Sequence, residues 1–230
     1  MRDDIAKSVA VVVPAFNEET RIASVLRACS ASKLAGEIIV VSDGSLDRTA
    51  DVARKFPGVR VIELRRNVGK GGAMAEGVRA TKAQFIEFLD ADLIGLRPEH
   101  VDMIIRPLLD GRCDMAVGVF RGGKMWSDTA MRITPSLSGQ RAMKREVFES
   151  VPNVAELRMG VEYALTNVAK RKRLRVLKVV LRGVSNCHKE EKMGFVEGLK
   201  ERTKMYVEIT ETAIRTRRRR RMVRKRYRSW

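Results

Sequence analysis

The stretch Phe85-Ile86-Glu87-Phe88-Leu89-Asp90-Ala91-Asp92 decides how this chain is read. An apolar run ends in two carboxylates one residue apart. Taken back to Ala83-Gln84, the run predicts a short buried strand. Side chains alternate across a strand, so Asp90 and Asp92 share one face if the extended conformation continues. Two same-face carboxylates at a strand end suit a hard divalent cation and the ligand it bridges. The bland alternative is an acidic turn that closes the strand.

Three further apolar runs lie upstream. Val9-Ala10-Val11-Val12-Val13 is rich in β-branched residues and stops at Pro14, as expected of a strand buried on both faces. Glu37-Ile38-Ile39-Val40-Val41 and Val59-Arg60-Val61-Ile62-Glu63-Leu64 predict the next two strands. Helical patterns run from Thr20 to Ala28, Thr49 to Lys55 and Gly71 to Ala80. Strand and helix alternate four times, which implies an α/β fold with a mostly parallel sheet flanked by helices. Such sheets bind ligands outside the carboxyl ends of their strands. The four ends here are Pro14–Glu19, Ser42–Asp47, Arg65–Gly71 and Asp90–Asp92, rich in carboxylates and glycine and including Lys70. A small-molecule site on that rim follows.

The second half is less regular. Helices are predicted from His100 to Leu109, Arg145 to Ser150 and Gly160 to Lys170, and strands from Met115 to Phe120 and Leu174 to Leu181. Gly122 to Pro135 fits neither pattern. Phe195 to Arg226 reads as a long helix or helix pair. The expected division is a domain over 1–194 and an amphipathic, Arg-rich helical tail over 195–230.

With 230 residues, 44% of them hydrophobic, the chain can bury a real core and is not compositionally disordered. Runs of about 18 apolar residues, the length that spans a bilayer, do not occur. Met1-Arg2-Asp3-Asp4 lacks the apolar stretch of a secretion signal. Cys29, Cys113 and Cys187 are odd in number and scattered, which argues for free thiols in a reducing compartment and a cytoplasmic location. The net charge of +18 is uneven: Arg215 to Arg228 holds ten Lys/Arg and no acid, which leaves +8 for the rest.

The rim sequences, taken together, resemble the family 2 glycosyltransferases with the GT-A fold. The matching pieces are Val12-Val13-Pro14-Ala15-Phe16-Asn17-Glu18-Glu19, Val40-Val41-Ser42-Asp43-Gly44-Ser45, Asn67-Val68-Gly69-Lys70-Gly71 and Leu89-Asp90-Ala91-Asp92. Two branches are similar in more detail: the dolichol-phosphate mannosyltransferase-like enzymes, and the glucosyl-3-phosphoglycerate synthases, which Arg106-Pro107-Leu108-Leu109, Gly160-Val161-Glu162 and a late histidine bring to mind.

The resemblance implies a nucleotide-sugar donor, with UDP-glucose ahead of GDP-mannose, and Mg²⁺ or Mn²⁺ bound at the Asp-x-Asp segment. A nucleoside diphosphate leaving group gathers negative charge that a Lewis-acidic dication offsets. Asp92 supplies a hard oxygen ligand, and Asp90 supports the metal or the ribose, with Ala91 between them. Pro14, Ala15, Asn17, Glu18, Asp43 and Gly44 line the expected nucleotide pocket. Gly69 and Gly71 permit close backbone approach, and Lys70 offers a point charge near the base or diphosphate, although alone it reads as a solvated lysine. His188 is expected as a third metal ligand, against an exposed loop histidine as its plain reading. Glu162, at a helix start, is either a surface carboxylate favoured by the helix dipole, a general base for a hydroxyl acceptor, or a holder of sugar hydroxyls. Ser138, Gly139 and Arg141 are expected to face sugar and acceptor, with Arg141 a phosphate contact. Arg121, Lys124 and Arg132 are alternatives. His100 looks like a helix-start residue without a site role.

In the tail, cations interleave with Met222, Val223, Tyr227 and Trp230, which suits an anionic lipid surface. Nucleic acid would attract the same tail. The acceptors expected are a polyprenyl phosphate at the inner membrane face, reached by a peripheral enzyme, or a small phosphorylated molecule such as 3-phosphoglycerate. Self-association into a homo-oligomer is left open. A nucleic-acid-binding protein is the competing class, and the rim carboxylates speak against it because they repel phosphate unless a metal intervenes.

Overall fold

The computed structural model describes residues 8–121, 138–158 and 160–186. His188, Cys187, Lys124, Arg132, the entire 122–135 segment and the whole predicted tail lie outside these residues. Strands are β1 (Val9–Ala15), β2 (Glu37–Ser42), β3 (Val59–Glu63), β4 (Phe85–Phe88), β5 (Leu93–Ile94), β6 (Met115–Arg121), β7 (Arg141–Lys144), β8 (Val176–Arg182) and β9 (Ser185–Asn186). Helices are α1 (Ile22–Ser30), α2 (Thr49–Arg54), α3 (Lys70–Arg79), α4 (Pro98–Leu109), α5 (Arg145–Glu149) and α6 (Val161–Lys172), with a 3₁₀ turn at Val154–Glu156. Every element the described sequence predicts forms, within two residues at each end. The pairs β5–β9 and the strand β7 were not expected.

Seven strands form one sheet in the order β3-β2-β1-β4-β7-β6-β8, and β5 pairs with β9 in a small antiparallel ribbon. β1 pairs in parallel with both β2 and β4, while β7 runs antiparallel to its neighbours β4 and β6. The sheet is thus mostly parallel, as the βα alternation implies.

β1 explains the two-layer packing. Val9, Val11 and Val13 face a core built with α1 and α4, through Ile22, Val25, Leu26, Ile104 and Ile105. Ala10 and Val12 face the opposite core, built with α3, α5 and α6 through Met74, Val78, Phe148 and Leu165. Period-2 alternation with apolar residues on both sides buries Val9 to Val13 completely. Rings of Phe88 and Phe148 meet with centroids 5.0 Å apart and tie β4 to α5. Cys29 and Cys113 are free and buried. His100 is a helix-start residue as expected: Arg97 N–H donates to its Nδ1 at 3.2 Å, and burial lowers its pKa ahead of the Arg97 charge. Among the described residues, no helix is long and apolar enough to cross a membrane.

Candidate active site

The carboxyl ends of β1, β2, β3 and β4 meet on one rim, and side chains interlock their loops. Asn17, in the left-handed region at φ 55°, accepts from Leu46 N–H at 2.9 Å and receives Ser45 Oγ against its own N–H at 3.2 Å. Glu18 N–H donates to Thr49 Oγ1 at 2.8 Å, and Glu19 N–H to Asp47 Oδ2 at 3.0 Å. The β1–α1 and β2–α2 loops are therefore one clasped unit.

Asp43, at the end of β2, spends its carboxylate on the next loop. Its two oxygens accept from Val68 N–H at 2.7 Å and Gly69 N–H at 2.9 Å, and its carbonyl accepts from Asn67 Nδ2 at 3.2 Å. Expected as a nucleotide contact, Asp43 is 4% exposed and shapes the 67–69 loop of the rim. Gly44 is needed for the same crossing: at φ +64° a Cβ there would meet the Arg66 and Asn67 backbone at 2.5 Å.

The glycines at the start of α3 correct the sequence reading. They were expected to admit a ligand; instead the chain itself fills that space. A Cβ on Gly71 would lie 2.3 Å from the Leu157 carbonyl oxygen and 2.4 Å from that of Val154. One on Gly69 would meet the Arg158 side chain at 2.8 Å. Gly71 N–H donates to Arg158 O at 3.1 Å. The 3₁₀ turn thus packs directly on the start of α3, and Lys70 is fixed by both.

Lys70 carries the centre of the site. Its Nζ lies 2.6 Å from Asp90 Oδ1 and 2.5 Å from Glu162 Oε1, with side chains 17%, 16% and 8% exposed respectively. Burial alone would lower the ammonium's pKa, but the charges of Asp90 and Glu162 outweigh it and push the pKa up. Burial alone would likewise raise Asp90; the Lys70 charge, then hydrogen bonds from Lys70, Gln140 and Asn186, hold it below the usual carboxylate range. Gln140 Nε2 donates to Asp90 Oδ2 at 2.6 Å and Asn186 Nδ2 at 3.4 Å. Asp90 is therefore a hub joining the start of α3, the segment just before β7, and β9, with both of its oxygens accepting from protein donors.

Asp90 and Asp92 do not continue the strand. β4 ends at Phe88, and Ala91-Asp92 form a turn before β5. Ala91 is buried, and Asp92 stays partly exposed. The β5–β9 ribbon pairs Leu93, the neighbour of Asp92, with Asn186. Among the described residues, no three of His, Cys, Asp and Glu are grouped to hold a metal. The residues nevertheless fit a hard cation shared with a ligand, because Mg²⁺ is commonly held by one or two carboxylates plus substrate phosphate.

Arg141, expected as a phosphate contact, is a second correction. It is 0% exposed on β7. Its Nε donates to the Ser138 carbonyl at 2.9 Å and its Nη1 to the Glu162 carbonyl at 3.3 Å. Burial draws its pKa down to about 10. Arg141 therefore supports the backbone behind Glu162. Ser138 is also fully buried, donating to the Gly118 carbonyl at 2.6 Å. Gly139 does reach the site: a Cβ there would lie 2.4 and 2.6 Å from the Asp90 oxygens and 2.7 Å from Lys70 Nζ. Pro14, Ala15 and Glu18 line the β1 end, with Ala15 and Glu18 buried. Gln140 lay inside the run expected to face sugar and acceptor, but its bond to Asp90 was not foreseen, and Asn186 was missed because an Asn before Cys-His gives only a weak signal.

The family model for glycosyl transferase family 2 matches residues 10–162. A dolichyl-phosphate beta-glucosyltransferase of Drosophila melanogaster is 41% identical over 107 residues, 40% of this chain and 33% of the relative. A glucosyl-3-phosphoglycerate synthase of Mycobacterium tuberculosis is 30% identical over 183 residues, 64% of this chain and 56% of the relative. A crystal structure of that synthase with Mn²⁺ and UDP-glucose is similar with a TM-score of 0.65 at 29% identity, covering 80% of this chain and 73% of that one. The chain spans between a third and just under half of the length of the Drosophila enzyme and the next two curated relatives, at 33%, 44% and 35%. With the family model covering its entire rim, the chain belongs to the family 2 glycosyltransferases.

Proposed function

We propose that this chain transfers a sugar from a nucleotide-sugar donor, a UDP-glucose type, to a phosphorylated acceptor. The observation that carries the reading is the meeting of Lys70 with Asp90 and Glu162 on a rim whose loops are clasped to one another, with Asp92 two residues beyond Asp90. Mg²⁺ or Mn²⁺ bound at Asp92 would offset the charge developing on the departing diphosphate. His188, two residues beyond β9, is its proposed further ligand, and β9 pairs beside Asp92. Ala15, Glu18 and the Asp43-framed loop hold the nucleoside. Glu162 accepts hydrogen bonds from sugar hydroxyls, and for a hydroxyl acceptor it takes the proton.

The acceptor we favour is a polyprenyl phosphate at an anionic membrane face, reached through the basic tail over 195–230. An ionised phosphate needs no base. The second reading, a 3-phosphoglycerate-type acceptor, is favoured by the likeness to the Mycobacterium tuberculosis synthase complex with Mn²⁺, UDP-glucose and phosphoglyceric acid, which covers 80% of this chain. Radiolabelled UDP-glucose, Mn²⁺ and each acceptor separate the two by whether label enters the lipid or the aqueous phase. No transfer to either, with no UDP released, refutes the donor assignment. Flotation with anionic liposomes should capture the full chain and lose one ending at Arg215; equal behaviour refutes the membrane reading.

A further inference from the structure

Lys70 stands between two carboxylates that belong to distant parts of the chain. Its ammonium bridges Asp90 Oδ1 and Glu162 Oε1 at 2.6 and 2.5 Å. The partners lie 20 and 92 positions away along the chain, so the bridge exists only in the fold. The surroundings are built for it. Gly139 offers its bare backbone as one wall, where any Cβ would strike both Asp90 oxygens and Nζ. Gln140 and Asn186 hold the other Asp90 oxygen, and Arg141 holds the Glu162 backbone from behind. The stem of Lys70 starts α3, which is locked by Gly71 N–H on the Arg158 carbonyl.

We propose that Lys70 is a resident cation. It is a positioning residue that fixes the spacing of Asp90 and Glu162 and excludes a second metal ion, so that the site takes one exchangeable dication, at Asp92. The ammonium is a compact charge with three donors, which suits two separate oxygens; a planar guanidinium suits one carboxylate edge. Removing it leaves two largely buried carboxylates without their counter-charge, a strongly unfavourable state. A hard dication is the natural replacement, since both partners are oxygen ligands. Only the placement of the exchangeable ion at Asp92 rests on the proposed donor chemistry; the Lys70 bridge does not.

The test counts Mn²⁺ bound per chain by electron paramagnetic resonance, with and without UDP, in wild type, Lys70→Met, Lys70→Gln, Lys70→Arg and the double variant K70M/E162Q. Lys70→Met and Lys70→Gln should each bind one more Mn²⁺ than wild type, Lys70→Arg none, and the double variant should lose the extra ion. A Lys70→Met chain that melts early should regain the wild-type melting temperature with Mn²⁺ but not with K⁺. The wild-type Mn²⁺ count in either neutral variant, an extra ion that survives Glu162→Gln, or instability that Mn²⁺ does not reverse overturns the inference. UDP-dependent Mn²⁺ uptake by wild type reports on the donor assignment separately: its absence refutes that assignment, while the difference between variant and wild type still decides the role of Lys70.

Discussion

Replacing Glu87 should make the protein more stable, and increasingly so as pH rises. Glu87 sits in the middle of β4, opposite Val11 and Ala142, at 0% exposure. Neither carboxyl oxygen has a hydrogen-bond partner among the described residues. Burial first, and the charge of Asp102 second, raise its pKa well above the usual 4.5. A buried polar group without a partner costs about 1–3 kcal/mol by mutational measure. Valine has nearly the same volume and suits a strand, so Glu87→Val should recover about 2 kcal/mol, or roughly 4–8 °C in melting temperature for a domain of this size. Glu87→Gln keeps the unpaired polarity and removes only the titration.

The pH dependence follows from proton linkage. With the folded pKa raised, the native state binds the extra proton in the window above 4.5, so wild-type stability falls as pH climbs from 4.5 toward the folded value. Glu87→Gln should therefore match wild type near pH 4.5 and exceed it at pH 8, whereas Glu87→Val should exceed it at both. Thermal melts or urea titrations at the two pH values supply the measurement. A lower melting point for Glu87→Val, or a gap between Glu87→Gln and wild type that does not change with pH, refutes the reasoning.

Asp92→Ala should abolish Mn²⁺-dependent donor turnover with circular dichroism unchanged; retained turnover in a folded variant removes the metal assignment. Gly71→Ala should destabilise by about 1–3 kcal/mol through overpacking against the Val154 and Leu157 carbonyls, read as a fall in the urea midpoint; a neutral effect would show that the 3₁₀ turn yields easily. Arg141→Lys should cost about 2–4 kcal/mol, because a lysine cannot reproduce the forked donation to buried carbonyls. A wild-type melting temperature would contradict its supporting role.

Strands β1 to β4 could be read because each is a β-branched or aromatic run stopped by turn residues, a local signal. β7 could not. Arg141-Ala142-Met143-Lys144 has a cation at each end and no β-branched residue; it becomes a strand because β4 and β6 pair with it on both sides. The Asp-x-Asp segment was visible, and a turn closing the strand was one of its two readings; the sequence alone did not choose between them, since nothing in it says where β4 stops. Lys70 was legible as a charge near the site, while its bond to Glu162 depends on α6 being carried round to the rim. The glycines of the Asn67-to-Gly71 loop show the same limit. Their need for space was evident, but the occupant, the 154–158 backbone, lies more than 80 positions later.

The place of β7 has a consequence for how the molecule is made. Synthesis delivers β1 to β4 first, and those four can pair as a self-contained block as they emerge. β6 follows, yet both of its neighbours, β7 and β8, are still inside the ribosome or unwritten. Until residue 144 is out, the block has a naked edge at β4 and β6 has nowhere to dock. Assembly must pause at that keystone, and a nascent chain stalled between residues 121 and 141 is where chaperones should be found bound.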